Sequence, residues 1–341
     1  MHNARVKFLL SLALMTILIT SGCGLPVPGA GGGGGGATAE QPAATLPPAD
    51  TAAPPTSTAI PHLATPGAGS KAIANAHDND ECKTPDTKSV TVGDEFRINR
   101  FERPFTAKDM QYLPQIDIVG MSMTQDDTWY YIQMKMCGKD PATGTMSGNY
   151  GAEFDLNVDG KTEVLVLANG PIGTDWSANG VAIYADLNGD IGGASSRPDD
   201  IYTGNGYETK VYESGQTLYT GGGDAADPDL AWARASADTA TVELAIKKTV
   251  LKDYKKWMWN PLASAYPLDP TKMYFNDTFT AERAGSARKG DANYPLNELA
   301  GFDNSCRLPA NFDAKGDEPM GCNVSKQQKD IEFGGGGGSS S

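Results

Sequence analysis

Trp129-Tyr130-Tyr131-Ile132-Gln133-Met134-Lys135-Met136 alternates strictly. In an extended chain Tyr130, Ile132, Met134 and Met136 face one way, while Trp129, Tyr131, Gln133 and Lys135 face the other. This period of two suits a strand and not a helix. Residues 241–247 repeat it, with Val242, Leu244 and Ile246 alternating with Glu243, Ala245 and Lys247. Further strands are expected at 89–92, 95–101, 116–123, 150–156, 162–168, 180–185, 208–212, 230–235 and 273–276. Clusters of Gly, Asn, Asp and Pro separate them, as antiparallel hairpins require. Helix is expected only as a short piece near 249–256. Many strands and little helix predict an all-β fold of two packed antiparallel sheets, a β-sandwich of jelly-roll or related type.

Outward from these strands, residues 77–333 read as one sandwich domain of about 250 residues, a length such folds reach as single units. Residues 1–22 carry Arg5 and Lys7 and then an apolar run over 8–19. As a helix that run spans about 18 Å, against roughly 30 Å of hydrocarbon, so it suits a cleaved signal peptide and not a stable span. Thr20-Ser21-Gly22-Cys23 resembles the lipobox of bacterial lipoproteins, which implies cleavage before Cys23 and its acylation. At roughly 0.8 kcal/mol per buried methylene, two or three acyl chains would hold the protein to a lipid bilayer, outside the cytoplasm. An ordinary secreted protein with a cysteine near its cleavage site is the alternative. Residues 23–76 pass through glycines 31–36 and an Ala, Thr and Pro mixture. Their composition cannot offset the entropy of ordering, so a disordered tether is expected. Residues 334–341 are Gly and Ser and stand apart from the fold.

The net charge is -14, and no Lys/Arg cluster stands out. Nucleic acid is excluded as a partner on that ground, since it needs a basic footprint. Five cysteines less Cys23 leave Cys82, Cys137, Cys306 and Cys322. An even number in an oxidising compartment predicts two disulfides. Three pairings exist; proximity favours Cys306 with Cys322 and Cys82 with Cys137, worth roughly 3 and 4 kcal/mol on the chain-entropy model. The first would staple an irregular C-terminal extension.

The sharpest chemical pattern is Asp-x-Asn-x-Asp, once as Asp155, Asn157, Asp159 and again as Asp186, Asn188, Asp190. In an extended chain carboxylates two apart lie about 6.6 Å from each other, too far for one ion with ligands at roughly 2.3–2.6 Å. They share a cation only if the chain coils around it, and hard oxygen ligands then select Ca²⁺. Neither stretch is an EF-hand, because Val166 and Arg197 stand where the twelfth-position glutamate belongs. Asp199-Asp200 would complete the second site. The alternative is a pair of turns whose Asp and Asn side chains bond local backbone groups.

Aromatic residues form the second constellation. Trp176 follows Asp175 in a Gly and Asn-rich loop, and Trp257 and Trp259 would share one face of a strand. Flat rings stack on the C–H faces of sugars while neighbouring polar groups fix hydroxyls, so these four residues are the candidate ligand contacts. Core packing competes with that role for Trp176, and is the favoured one for Trp257, Trp259 and, most of all, Trp232.

The segments Glu102-Arg103-Pro104-Phe105, Ile116-Asp117-Ile118, Trp129-Tyr130-Tyr131, Glu153-Phe154-Asp155, Asp175-Trp176, the run from Ala185-Asp186-Leu187-Asn188 to Gly192-Gly193, and Val242-Glu243-Leu244-Ala245 follow in an order that resembles the family 9 carbohydrate-binding modules and DOMON-like β-sandwiches. The resemblance covers about residues 89–256 and implies an antiparallel sandwich, an extracytoplasmic location, sugar or haem ligands and structural Ca²⁺. Haem is disfavoured, since His2, His62 and His77 fall in the leader, tether and domain edge.

The same shortage of histidine argues against an enzyme. No Ser-His or Cys-His couple and no zinc helix stands in the folded region. Gly160-Lys161-Thr162 ends like a phosphate loop, but Asp155 stands where the first glycine belongs. Three classes stay open: a carbohydrate-binding lipoprotein, which is favoured, a structural or adhesive surface protein, and a glycoside hydrolase needing only two carboxylates.

Overall fold

The computed structural model describes residues 60–77, 82, 101–192, 204–218, 226–252, 254–273, 281–319 and 321–322. Cys23 with the leader and most of the tether, the expected strands at 89–92 and 95–100, residues 274–276, Asp199-Asp200 and the Gly/Ser tail lie outside them. The chain is all-β and antiparallel, as its alternation requires. One sheet has five strands in the order β1 (Lys71–His77), β3 (Ile118–Gln125), β4 (Trp129–Met136), β11 (Thr241–Lys247) and β10 (Ala231–Ala235). The nine-stranded sheet runs β2 (Glu102–Arg103), β13 (Phe302–Asn304), β12 (Trp257–Ser264), β5 (Asn149–Asp155), β6 (Val164–Ala168), β7 (Val181–Ala185), β8 (Thr209–Glu213) and β9 (Gln216–Thr217), and β14 (Leu308–Ala310) also pairs with β12. The helix expected near 249–256 is a single 3-10 turn, Lys248–Leu251, stopped where Lys252 turns to φ 52°.

The sheets pack face to face. Tyr130, Ile132, Met134 and Met136 of β4 and Val242, Leu244 and Ile246 of β11 meet Tyr150, Ala152, Phe154, Val164 and Val166 of the facing sheet. Each large side chain so buried contributes about 1.5–3 kcal/mol. Trp257 and Trp259 do share a face, but it is this one, and both are fully buried. A ring without exposed surface cannot stack on a ligand, so their expected place in a binding site is corrected to the core. Their strand, β12, escapes a reading by alternation because it is buried on both faces and holds Pro261. A proline lacks the N–H that a central strand needs. Here it is tolerated because the partner changes: β14 pairs with Trp257 to Trp259, β13 with Leu262 to Ser264, and Pro261 falls between.

The folded body begins earlier than expected. Lys71–His77, assigned to the tether up to residue 76, is an edge strand paired with β3, and Ser70 N–H already donates to Gln125 O at 3.1 Å. Its Ala and Asn composition, next to a Pro and Gly-rich segment, concealed it. The disulfides are Cys82–Cys137 and Cys306–Cys322, with sequence separations of 55 and 16. Among the described residues no helix is long and apolar enough to cross a membrane.

Candidate functional site

Both Asp-x-Asn-x-Asp stretches leave the nine-stranded sheet at the ends of β5 and β7, and both are closed turns. Asp155 accepts from the backbone N–H of Val158 at 2.7 Å, Asp159 at 3.2 Å and Gly160 at 2.8 Å, and from Arg307 at 3.3 Å. Asp186 accepts from Asn188 at 3.1 Å, Gly189 at 2.7 Å and Ile191 at 3.0 Å. The loops touch, since Thr162 N–H donates to Ile191 O and Lys161 Nζ to Gly189 O at 2.6 Å. In the second loop Asn188 bonds Asn205, and Asp190 accepts from Asn205 N–H. The local-turn alternative therefore describes both leading aspartates.

The carboxylates that converge are Asp155, Asp159 and Glu163, each with an oxygen within 4.8 Å of the others. The second stretch forms no such group among the described residues. Sequence reading missed Glu163 because it lies beyond the motif; it returns on the far side of the loop to accept from Leu156 N–H at 2.7 Å and Asn157 Nδ2 at 2.8 Å. Burial, with the charges of Asp155 and Asp159, pushes its carboxyl up to about 7. Burial also raises Asp155 and Asp186. A second converging set, Glu102, Asp117 and Asp303, is buried where β2 and β13 meet the start of β3. Tyr112 donates to Asp117 there, and Ile118 N–H to Asp303 at 2.6 Å.

Trp176 leads to a different surface. Its loop, between β6 and β7, crosses to the five-stranded sheet, where Ser177 and Ala233 exchange backbone hydrogen bonds of 3.0 and 2.9 Å. Trp176 is thereby set on the outer face of that sheet, its ring 4.5 Å from the Arg234 guanidinium and 6.0 Å from Tyr131. Asp175 beside it is exposed.

Strand register orders the rest of this face. Tyr131 lies opposite Ala245, and Ala245 opposite Trp232, so two aromatic side chains about 10 Å apart flank a small one. Parallel to that row run Ser122, Gln133, Glu243 and Arg234. They bond in sequence: Ser122 Oγ to Gln133 at 3.1 Å, Gln133 Nε2 to Glu243 at 2.6 Å, and Arg234 Nε to Glu243. Tyr131 is aimed by Asp126, which accepts its O–H at 2.6 Å and the N–H groups of Thr128 and Trp129 at 2.7 Å. Burial and this bond push the Tyr131 phenol up to about 12. The indole N–H of Trp232 is buried without an acceptor among the described residues.

Residues 60–70 lie along the aromatic row. His62 Nδ1 is 2.8 Å from Asp229 Oδ1, and its ring centroid 4.4 Å from that of Trp232. Leu63 and Ala64 donate their N–H groups to Asp229 Oδ2 at 2.8 and 2.9 Å. Gly67 N–H donates to Tyr131 Oη at 3.1 Å, and Trp176 Nε1–H donates to Gly67 O at 3.1 Å. Gly69 passes so close that a Cβ there would sit 2.0 Å from Thr124 Oγ1 and 2.8 Å from Tyr131 Cδ2. His62, expected in the tether, is thus part of the folded body. Where this segment enters β1, a cleft of about 350 Å³ opens between Lys71, Gln125, Asn311, Phe312 and Asp313.

Neither protein-family models, nor curated proteins, nor solved structures give a match to this chain.

Proposed function

We propose that this protein is a non-enzymatic carbohydrate-binding lipoprotein, held to a membrane through acylated Cys23 and facing the extracytoplasmic side, with its sugar site on the outer face of the five-stranded sheet. The carrying observation is the pairing of two rows on that face: Tyr131 and Trp232, only 2% and 6% exposed while residues 60–70 lie over them and so open to a sugar only when that segment moves, with Trp176 beside them, next to Ser122, Gln133, Glu243 and Arg234. Rings of this kind take the C–H faces of a pyranose, and a line of amide, carboxylate and guanidinium groups discriminates its hydroxyls. The expected roles of Trp176 and Asp175 belong to this reading; Trp257 and Trp259 leave it. Ca²⁺ is the proposed ion at Asp155, Asp159 and Glu163, where three hard oxygens converge. Its task there is to neutralise the loop and not to touch the sugar.

The test is retention of the purified protein on arrayed glycans. Trp176→Ala and Arg234→Ala should each weaken binding about tenfold, or 1.4 kcal/mol, without lowering the melting temperature by more than a few degrees. Absence of retention on every glycan, in the parent and in a variant with residues 60–70 displaced, contradicts the proposal. A structural or adhesive surface protein is the second reading, and one observation favours it: Trp176 already spends its indole N–H on Gly67. That reading predicts self-association in sedimentation and no glycan dependence.

A further inference from the structure

We propose that residues 60–70 are a displaceable strap, a peptide cover that competes with carbohydrate for the aromatic row of Tyr131, Trp176 and Trp232, a regulation which rests on the carbohydrate reading above. The strap follows the row from one ring to the next: His62 against Trp232, Gly67 between Tyr131 and Trp176, Gly69 over Tyr131 and Thr124.

Its bonds are of the kind a sugar makes. Asp229 accepts from His62 and from two backbone N–H groups, the Tyr131 oxygen accepts one N–H, and Trp176 donates to one carbonyl. Hydroxyl groups both donate and accept, so a glycan can replace these bonds as the strap leaves, and no side chain of the row loses its polar partner on exchange. The strap has little else to hold it. Apart from buried Pro66 and half-buried Ala64, which packs beside Tyr131 and Trp232, its side chains are small or exposed, Leu63 at 85%, and backbone bonding to β3 begins only at Ser70. A cover so attached opens at a free energy far below global unfolding.

The strap is the segment that joins the folded body to the residues before Ile60, where Cys23 stands. A ligand that prefers the open state shifts the population toward it.

Gly69→Ala separates the cover from the face beneath, since its Cβ has no room while the strap is seated. The probes are soluble xylan, mixed-linkage glucan and galactomannan, used with the full chain. The strap amides of Leu63, Ala64 and Gly67 should exchange hydrogen at least about tenfold faster in Gly69→Ala, and that variant should bind one of the polysaccharides at least about tenfold more tightly than the parent. In the parent, saturating polysaccharide should speed exchange at the same three amides; this measurement needs no variant and stands even where Gly69→Ala melts early. Equal binding by parent and variant, or strap amides still protected under saturating polysaccharide, overturns the strap; a polysaccharide bound over protected amides then lies at Trp176 and Arg234 and not on Tyr131 and Trp232, which the seated strap keeps covered. Released strap amides with no binding by either protein overturn the carbohydrate site, and the competition with it.

Discussion

The outer face of the nine-stranded sheet and that of the five-stranded sheet are both covered, and the covers differ in kind. Over the first, Leu165, Leu167 and Leu262 pack with Phe101, Tyr207, Met273, Leu299 and Phe302 in a second apolar cluster. Its polar groups are buried and mutually bonded: the Tyr207 hydroxyl lies 2.7 Å from both Glu153 and Thr162, Asn260 donates to Glu153 at 3.1 Å, and Arg307 meets Asp155. Over the second lies the segment 60–70, whose main chain bonds to the side chains of Asp229, Tyr131 and Trp176. A cover built from leucines, phenylalanines and paired charges is architecture, because its removal would leave about 25 cal/mol per Å² of apolar surface in water. A cover held mainly by exchangeable hydrogen bonds is, on the proposal above, one that a ligand can replace.

The largest expected effect tests the first cover. Arg307 is 4% exposed and Asp155 fully buried, so Arg307→Leu strands a carboxylate in the interior. It should lower unfolding free energy in urea by about 3–5 kcal/mol, as breaking a buried pair from one side generally does. A loss under about 1 kcal/mol would mean that this cover is as dispensable as the strap.

A smaller effect comes from the loop at its rim. The Glu163 carboxyl rises from 4.5 to about 7 in the folded protein, through burial first and then the charges of Asp155 and Asp159. A folded value above the unfolded one means that its contribution is fully present below about pH 4.5 and lost as the pH climbs through about 7. The melting temperature should therefore fall between pH 5 and 7.5 in the absence of divalent ions. Glu163→Gln should flatten that slope. Ca²⁺ should also flatten it while raising the melting temperature, since at 100 times its Kd a ligand adds about 2.7 kcal/mol. A melting temperature indifferent to both Ca²⁺ and chelator removes the ion from the account.

The smallest effect belongs to the strap. Gly69→Ala should change global stability by less than about 1 kcal/mol, because what it displaces is a locally opening segment.

What the sequence disclosed divides along the same line. The strands 129–136 and 241–247 were legible to the residue, since each has one apolar face in the core and one mixed face outside. That same outer face carries the rows Tyr131 and Trp232, Gln133 and Glu243, but their juxtaposition depends on register across β4, β11 and β10, which no single segment encodes. β12 was hidden by burial on both faces and by Pro261. The strap was hidden by its composition, which is that of a tether until Tyr131, Trp176 and Asp229 give it partners. Asp155 and Asp186 were rightly singled out as the leaders of coiled loops, but the spacing could not show that backbone N–H groups would occupy them, nor that Glu163 would return to the first.

Native-state hydrogen exchange on the unliganded protein tests the difference between the covers most directly. The strap amides of Leu63, Ala64 and Gly67 should exchange through local opening, at rates insensitive to low concentrations of denaturant. The amides of Gly301 and Asn304, bonded to Arg103 O and Phe101 O over the other sheet, should exchange at least about a hundredfold more slowly and only with global unfolding. Equal protection at the two sets would contradict the account, making the strap one more layer of the core.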